Sequence, residues 1–146
     1  MTGTYPMNVD GKARITVPSP FRKEIDRRVV MVPVQGCVYG FTPEGFDAWI
    51  ESLFENSEQH FNPRNLRDVK LRRGLNASAV EVELDSANRI ALGKLDVAKP
   101  GRRKELGLEG PVTVIGNGDH FEIWSTEQWE AEQASFEDDL DALMFG

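Results

Sequence analysis

The stretch NVDGKARITV, residues 8–17, recurs as ELDSANRIAL, residues 83–92, at an offset of 75 positions. Each copy contains an apolar residue, an aspartate, three spacers, an arginine, an isoleucine, one further spacer and an apolar residue. A second correspondence follows at an offset of 83, where VVMV at residues 29–32 matches VTVI at residues 112–115. Two copies of one pattern, in register and with matching segments downstream, predict two similar structural units that share one core.

The elements of each unit are predicted from hydrophobic periodicity and turn residues. Apolar residues alternate on both sides of the first Asp-Gly-Lys, which predicts a tight β-hairpin over residues 7–17. Ser19 is expected to cap a short helix that runs to Ile25, and residues 29–34 and 37–41 are expected to be strands. Each unit thus consists of a hairpin, a short connection, two strands and an amphipathic helix.

Other segments are predicted to be helices or linkers. A Thr-Pro pair opens a helix at Thr42, and a polar linker over residues 55–62 precedes a basic segment that Gly74 is expected to end. In the second unit, a strand over residues 120–124 runs into a capping box at Ser125. The terminal helix that follows places these residues on one stripe: Trp129, Gln133, Phe136, Leu140 and Leu143.

The composition is that of a soluble globular protein, with 146 residues of which 40% are apolar and 28% are charged. No apolar run approaches the ~18 residues that a membrane span needs, and the first six residues lack the basic and apolar regions of a signal peptide. Cys37 is the single cysteine, so it forms no intrachain disulfide and is expected to be a small buried hydrophobe. We therefore expect a cytoplasmic protein without a membrane partner.

Charge is segregated along the chain, although the net charge is −7. Residues 1–28 hold six basic and three acidic side chains, and residues 61–73 hold five basic and one acidic. Residues 119–146 hold nine acids and no base. Local potential decides which molecules approach a surface within a Debye length of ~8 Å. The two basic islands either bind phosphates or are merely solvated surface.

Several of these stretches resemble the MraZ family, bacterial relatives of the AbrB/SpoVT swapped-hairpin transcription factors. In the first unit the matching residues are VDGKARITVP at 9–18 and Phe21-Arg22. In the second unit they are ELD at 83–85, Arg89-Ile90, GNGDHFEIW at 116–124 and Trp129. The resemblance covers nearly the whole chain, and the closing Gly-x-x-Asp-x-Phe-Glu-Ile-Trp is its most specific part.

The resemblance implies an α+β, mainly β fold, in which two tandem, pseudo-symmetric AbrB/SpoVT-like units form a double-split β-barrel with peripheral helices. The units are expected at residues 5–48 and 79–127, with a helical linker at 49–76 and an acidic C-terminal helix at 128–146. Interleaving the strands of the two units would remove exposed sheet edges. The family also implies a homo-oligomeric ring, associated with the nucleoid, that binds double-stranded DNA at promoter repeats upstream of the division and cell-wall gene cluster.

The Asp-x-x-x-Arg motifs of the family fall on Asp10/Arg14 and Asp85/Arg89. We expect each arginine to contact phosphate or a base edge, because a planar guanidinium can bond guanine O6 and N7 together. Each aspartate is expected to hold its arginine in place. The alternative is a structural Asp–Arg brace without a ligand. Lys12, next to the first motif arginine, favours DNA binding by the first unit.

The remaining basic residues are divided between DNA and a neighbouring subunit. Arg22 and Lys23 are expected to contact phosphates, as are Arg27 and Arg28, against the alternative of a solvated helix face. The arginines of the second basic island are expected to meet the acidic helix of a neighbouring subunit: Arg64, Arg67, Arg72 and Arg73.

The chain departs from the family pattern in both units. The glycine that usually precedes the motif arginine is replaced by Ala13 and by Asn88, and Gly93 stands where the first unit has Pro18. A basic insertion follows at residues 94–104. We expect these differences to weaken DNA contact by the second unit more than by the first.

No enzyme activity and no cofactor are expected. Glu81, Glu83 and Asp85 alternate along one strand and offer a site for Mg²⁺, but solvated edge acids are the commoner arrangement and no nucleophile or lysine base accompanies them. His60 and His120 have no second ligand at metal-binding spacing and are expected to be surface or packing residues. Two functions stay open: a DNA-binding transcriptional regulator, and a swapped-barrel module that assembles or binds protein through its acidic helices without contacting DNA.

Overall fold

A computed structural model describes residues 1–55 and 61–146 of the chain. The fold is mixed α and β, with sheet at its centre. The strands in these residues are β1 (Thr4–Asn8), β2 (Arg14–Thr16), β3 (Arg28–Val34), β4 (Cys37–Phe41), β5 (Val80–Glu83), β6 (Arg89–Ala91), β7 (Pro111–Asn117) and β8 (His120–Ser125). The helices are α1 (Ser19–Arg22), α2 (Pro43–Ser52), α3 (Leu66–Ser78), α4 (Lys94–Ala98), α5 (Arg102–Leu106) and α6 (Thr126–Phe145). Most of the linker predicted over residues 55–62, with His60, lies outside the described residues.

The two units interleave, because each one contributes its first strand to the other. Six strands form one antiparallel sheet in the order β1-β7-β8-β4-β3-β5. β1 of the first unit pairs with β7 of the second, and β5 of the second unit pairs with β3 of the first. The short strands β2 and β6 form a separate two-stranded ribbon, which we call the β2–β6 ribbon.

The prediction of a β-hairpin over residues 7–17 is wrong. β1 and β2 flank the turn at Asp10, but they enter different sheets, and β2 pairs with β6 instead. The turn itself forms, since the Asp10 N–H donates to the Arg14 carbonyl at 3.0 Å. Alternation of apolar residues shows which face of a strand is buried, but it does not show which strand is the partner.

A pseudo-two-fold axis relates the two units. The pairing of Asn8 with Pro111, between β1 and β7, is repeated by the pairing of Glu83 with Arg28, between β5 and β3. Asn8 and Glu83 are 75 positions apart, and Arg28 and Pro111 are 83 apart. These are the offsets that relate the two copies in the sequence. β2 pairs with its own equivalent, β6, so the axis passes through the β2–β6 ribbon.

The double-split β-barrel that the resemblance implied is not confirmed in the described part of the chain. β1 and β5 stand at opposite ends of the six-stranded sheet and do not pair with each other, so the sheet is open. Both edge strands are short, with five and four residues. Short edge strands are one of the ways in which proteins limit pairing with other chains.

One main core, drawn from both units, supports the ribbon. Ile15 and Ile90, at the centres of β2 and β6, are buried in it, and Phe21 and Leu95 anchor α1 and α4 in the same cluster. Successive side chains of a strand point to opposite faces. Because the two isoleucines point inward, the residues before and after each of them point outward.

Two of the predicted helix starts are confirmed and one is wrong. The hydroxyls of Thr42 and Ser125 each accept a backbone N–H from three residues further on. Ser19 does not cap α1, because Pro18 occupies the N-cap position and Ser19 is the first helical residue. Gly74 does not end α3, which continues for four more residues. A glycine inside a helix costs only about 1 kcal/mol, which its neighbours can offset.

One prediction from composition also has a structural counterpart. Cys37 is buried in β4, as predicted, and burial raises the pKa of its thiol to about 12, so the thiol stays protonated at neutral pH. Among the helices of the described residues, none is both long enough and apolar enough to cross a bilayer.

Candidate nucleic-acid interface

Each of the two motif turns is organised by one aspartate. Oδ1 of Asp10 accepts the backbone N–H groups of Lys12 and Arg14 at 2.9 and 2.8 Å, and its Oδ2 accepts Nε of Arg14 at 2.8 Å. Asp85 repeats this geometry, with two backbone N–H groups on Oδ1 and Nε of Arg89 on Oδ2, all at 2.9 Å. One carboxylate therefore fixes both the turn and the guanidinium of each motif.

Both turns place a left-handed residue directly before the arginine. Ala13 has a φ of 59° and Asn88 a φ of 60°. Glycine adopts this conformation without strain, asparagine visits it, and alanine pays roughly 1–2 kcal/mol for it. The departures from the usual glycine have therefore left the two turns in one conformation, at a cost that is greatest for Ala13.

The β2–β6 ribbon displays both arginines on one face. Arg14 pairs with Ala91, and Thr16 pairs with Arg89. The isoleucine at the centre of each strand is buried, so these four residues share the outward face. The side chains of Arg14 and Arg89 keep 25% and 33% of their surface exposed, so neither is closed off from solvent.

The two motifs touch across the pseudo-two-fold axis. Nη1 of Arg14 lies 3.9 Å from Oδ2 of Asp85, which also accepts Nε of Arg89. The two arginines and their two aspartates carry no net charge together, so attraction of an anion depends on the other bases nearby. Since Nε of each arginine is occupied, the edge formed by Nη1 and Nη2 is the part that can meet a ligand.

The braces lower the pKa of both motif aspartates below its ordinary value. The backbone N–H of Arg14 is the largest cause that lowers the pKa of Asp10, and the guanidinium of the same residue adds to it. Arg89 acts in the same way, and in the same order, on the pKa of Asp85. Partial desolvation opposes these effects without cancelling them. The folded protein therefore favours the anionic form of both aspartates beside the arginines.

Each motif turn lies beside the start of a helix that follows the other motif in the sequence. The Val17 N–H donates to the Asn88 carbonyl at 2.9 Å, which places the start of α1 beside the second turn. The Leu92 N–H donates to the Ala13 carbonyl at 2.8 Å, which places the start of α4 beside the first turn. Strand exchange thus combines elements of both units at each turn.

The basic side chains that were predicted to contact phosphates near α1 differ in hydrogen bonding and exposure. Arg22, the last residue of α1, donates from Nε to the Val17 carbonyl at 2.9 Å and is half-buried. Lys23 and Lys12 are exposed. Because α1 begins beside the second turn, Arg22 and Lys23 belong to the helix that accompanies Arg89, whereas Lys12 precedes Arg14 in the first turn.

Two other candidate bases are engaged with acids of β5. Arg27 donates from Nη2 to the Leu84 carbonyl at 3.0 Å, and its Nε lies 3.7 Å from Glu83. Nη1 of Arg28 lies 4.0 Å from Glu81. Glu81 and Glu83 therefore both face arginines. Within residues 1–55 and 61–146, no three His, Cys, Asp or Glu side chains converge as metal ligands.

The insertion after β6 contains an Asp–Arg brace that the sequence analysis missed. Asp96 accepts the backbone N–H and Nε of Arg103, both at 2.9 Å. Arg103 also lines a shallow depression together with Asp10 and Lys12 of the first turn. The residues of this brace are seven positions apart, so the four-residue motif spacing gave no signal for it.

His120 is a packing residue, as predicted, and it also forms hydrogen bonds that the sequence did not predict. It is buried, with Nε2 2.8 Å from Glu122 and Nδ1 2.7 Å from Asp119. Asn117 and Trp124 also donate to the Glu122 carboxylate, at 2.7 and 3.0 Å. The sequence signal was the group of polar residues alternating with apolar ones in β8, which a search for metal-ligand spacing does not detect.

The chain is therefore a β protein with two pseudo-symmetric units that exchange strands. The outward face of its β2–β6 ribbon carries two braced arginines. The sequence pattern of the family described as "MraZ protein, putative antitoxin-like" matches this chain twice, over residues 1–68 and 75–143. The chain belongs to the MraZ family. The two matches contain the two copies of the Asp-x-x-x-Arg motif.

Relatives from distant bacteria are similar over nearly the whole chain. The transcriptional regulator MraZ of Leifsonia xyli subsp. xyli is 35% identical over 137 residues, which cover 92% of this chain and 87% of that protein. The protein of the same name from Mycoplasmoides gallisepticum is 32% identical over 138 residues, covering 92% and 89%. That from Leuconostoc mesenteroides subsp. mesenteroides is 30% identical over 147 residues, covering 99% and 94%.

Proposed function

We propose that this protein is a transcriptional regulator that binds double-stranded promoter DNA through the β2–β6 ribbon. The observation that carries the proposal is the pair of guanidinium groups, of Arg14 and Arg89, on one outward face of the ribbon. The major groove of DNA, about 12 Å wide, admits a two-stranded ribbon. The names of the relatives, transcriptional regulator MraZ, support the same role.

The braces prepare the arginines for binding. Because Asp10 and Asp85 hold Nε of each arginine, the Nη edge is directed before a ligand arrives, and less side-chain entropy is lost on binding. This edge can bond two acceptors of guanine or of a phosphate. Lys12, beside the first arginine, adds the positive charge that the neutral motif cluster lacks.

We further propose that the protein acts as a homo-oligomeric ring on the nucleoid, at promoter repeats upstream of the division and cell-wall gene cluster. A single protomer offers few phosphate contacts, and each of them weakens with salt. Several ribbons bound to spaced repeats would gain avidity by factors of ~10² or more. Assembly is then part of DNA recognition, and a single-repeat duplex should bind much more weakly than a duplex with several repeats.

One observation favours a second function. The four motif side chains neutralise each other, as expected of a purely structural brace in a module that assembles or binds protein without contacting DNA. Under this alternative the arginines fix the turns and stabilise strand exchange. The two functions differ in what the loss of one arginine does to DNA affinity.

Arg14→Ala is the variant that decides between them. Selection of bound fragments from the host genome supplies the operator, and titration of that duplex measures the affinity. Loss of a two-bond base contact, ~1–3 kcal/mol, predicts binding weakened about 5- to 150-fold. Lys99→Ala removes an equal charge from an exposed side chain outside the ribbon, at a position with no predicted DNA contact, and is the matched control. Unchanged affinity of Arg14→Ala, with the assembly intact, would contradict the proposal.

A further inference from the structure

The last four turns of α6 carry an uncovered apolar stripe. Every residue from 131 to 146 is exposed. Within this segment Phe136, Leu140 and Leu143 recur on one side, with 49%, 39% and 70% of their surface exposed. A helix gains most of its stability from packing an amphipathic face, and a contiguous exposed apolar patch marks an interaction surface. The stripe therefore needs a covering partner.

The borders of the stripe specify the charge of that partner. α6 contains seven acids and no base. With about 100° between successive residues, Glu132, Glu137 and Asp139 border the stripe, while Asp138 lies on the opposite side of the helix. Two copies of α6 are poor partners for each other because their acids would face one another. The partner must offer apolar and basic side chains together.

The outward face of α3 offers this combination. Leu66, Lys70 and Arg73 recur there at helical spacing, and all three are exposed, Leu66 by 83% of its surface. Neither Lys70 nor Arg73 forms an ion pair with another residue in the described ranges 1–55 and 61–146. Gly74, also on this side, has open space where a side chain would be, so a neighbouring helix can approach closely.

We infer that α6 of one copy docks on the outward face of α3 of the next copy. The inference rests on the proposed function, whose assembly it would build. Since the two surfaces are different parts of the chain, the contact is heterologous and produces a closed ring or an open filament rather than a two-fold dimer. Arg72 takes no part in it, because its guanidinium lies 4.5 Å above the ring of Phe61 in the same chain.

Charge reversal on each surface tests the docking. Lys70→Glu with Arg73→Glu reverses the face of α3, and Glu137→Lys with Asp139→Lys reverses the borders of the α6 stripe. Each double variant alone is expected to weaken self-association at least about tenfold, measured by size-exclusion chromatography with light scattering over a dilution series. Asp138→Lys, on the opposite side of α6, is the matched control and is expected to leave the assembly intact.

Mixing the two double variants distinguishes lost contact from a damaged fold. In an equal mixture, reversed α3 meets reversed α6, and native α3 meets native α6, so assembly returns with the two variants in alternation. A mixture that stays dissociated overturns the inference. An assembly that the charge reversals leave unchanged also overturns it, as does one that Asp138→Lys disrupts equally. A wild-type protein that remains monomeric and uses α6 for a different partner overturns it as well.

DNA binding by the same variants separates this inference from the proposed function. The reversals leave the β2–β6 ribbon unchanged, so the variants are expected to bind a single-repeat duplex as the wild type does and to lose only the gain from several repeats. A wild-type assembly that responds to the reversals but binds no DNA would refute the DNA proposal and leave the docking supported.

Discussion

Nη1 of Arg14 lies 3.9 Å from Oδ2 of Asp85, across the axis that relates the two units. Asp85 therefore faces two guanidinium groups, whereas the ion pair of Asp10 is with its own motif arginine at 2.8 Å. The backbone is pseudo-symmetric at the β2–β6 ribbon, but the electrostatic roles of the two aspartates differ. A symmetric repeat thus produces an asymmetric candidate site.

Asp85→Asn is expected to reduce DNA specificity more than Asp10→Asn. Either change removes a negative charge, so binding to any duplex through phosphates strengthens, while the positioning of the arginines weakens. Asp85→Asn weakens the brace of Arg89 and also removes the charge that Nη1 of Arg14 faces, whereas Asp10→Asn weakens the brace of Arg14 alone. The ratio of operator affinity to scrambled-duplex affinity, measured at one salt concentration, should fall severalfold for Asp85→Asn and less for Asp10→Asn. Equal losses would contradict the asymmetry.

Ala13→Gly is expected to stabilise the fold. Alanine at a φ of 59° carries strain, roughly 1–2 kcal/mol, whereas glycine carries none but costs about 0.4–1 kcal/mol in unfolded-state entropy. The net expectation is a free energy of unfolding raised by about 0.5–1 kcal/mol. Asn88→Gly, at the equivalent position, should change it little, because asparagine tolerates this conformation. Urea denaturation of both variants measures the difference, and a destabilised Ala13→Gly would refute the strain argument.

Gly40→Ala is expected to destabilise the centre of the sheet. A Cβ at this position would clash with the ring of Phe121, a residue buried in the core. Overpacking of a rigid core costs about 1–3 kcal/mol. Thermal and urea denaturation should both show the loss.

Two further variants check the cause of that loss. Gly110→Ala introduces the same methyl group where no atom lies within 4 Å and should be nearly neutral. In a double-mutant cycle, Phe121→Leu removes the end of the ring that the new methyl group meets, so the double variant should be more stable than the sum of the single effects. Simple additivity would mean that the clash is not the cause.

Local signals account for what the sequence predicted of the fold. β3 and β4 are close to the predicted spans of residues 29–34 and 37–41, because alternation and turn residues act over a few positions. The caps at Thr42 and Ser125 were visible for the same reason. The repeat offset of 75 also gave the equivalence of the two motif turns before any contact was known.

Long-range pairing accounts for what the sequence did not predict. The partner of β2 is 75 positions away, and its alternation fits a hairpin equally well. The contact of Arg14 with Asp85 follows only once β2 and β6 lie side by side. The burial of His120 likewise depends on neighbouring strands and on the rings of Tyr39 and Phe41, whose centroids lie 4.4 and 5.0 Å from that of the imidazole.

The buried pair of His120 and Glu122 makes stability depend on pH. Burial disfavours the imidazolium, but hydrogen bonds to Glu122 and Asp119 outweigh burial and raise the pKa of His120 above its ordinary value of 6.5. Burial also acts to raise the pKa of Glu122, but hydrogen bonds from His120 and Asn117 outweigh it and hold that pKa below 4.5. Each group is therefore easier to charge in the folded protein than in the unfolded chain.

The sign of the pH dependence follows from these two directions. The stabilisation from His120 is complete below pH 6.5 and is lost as pH rises through its raised folded pKa; that from Glu122 is complete above pH 4.5 and is lost as pH falls through its lowered one. The pair thus contributes most between these values. Urea titrations at about pH 6 and about pH 8.5 should show the wild type losing stability between them and His120→Gln losing less. An equal loss of stability in His120→Gln would mean that another group causes the pH dependence, because glutamine cannot carry the proton of the imidazolium.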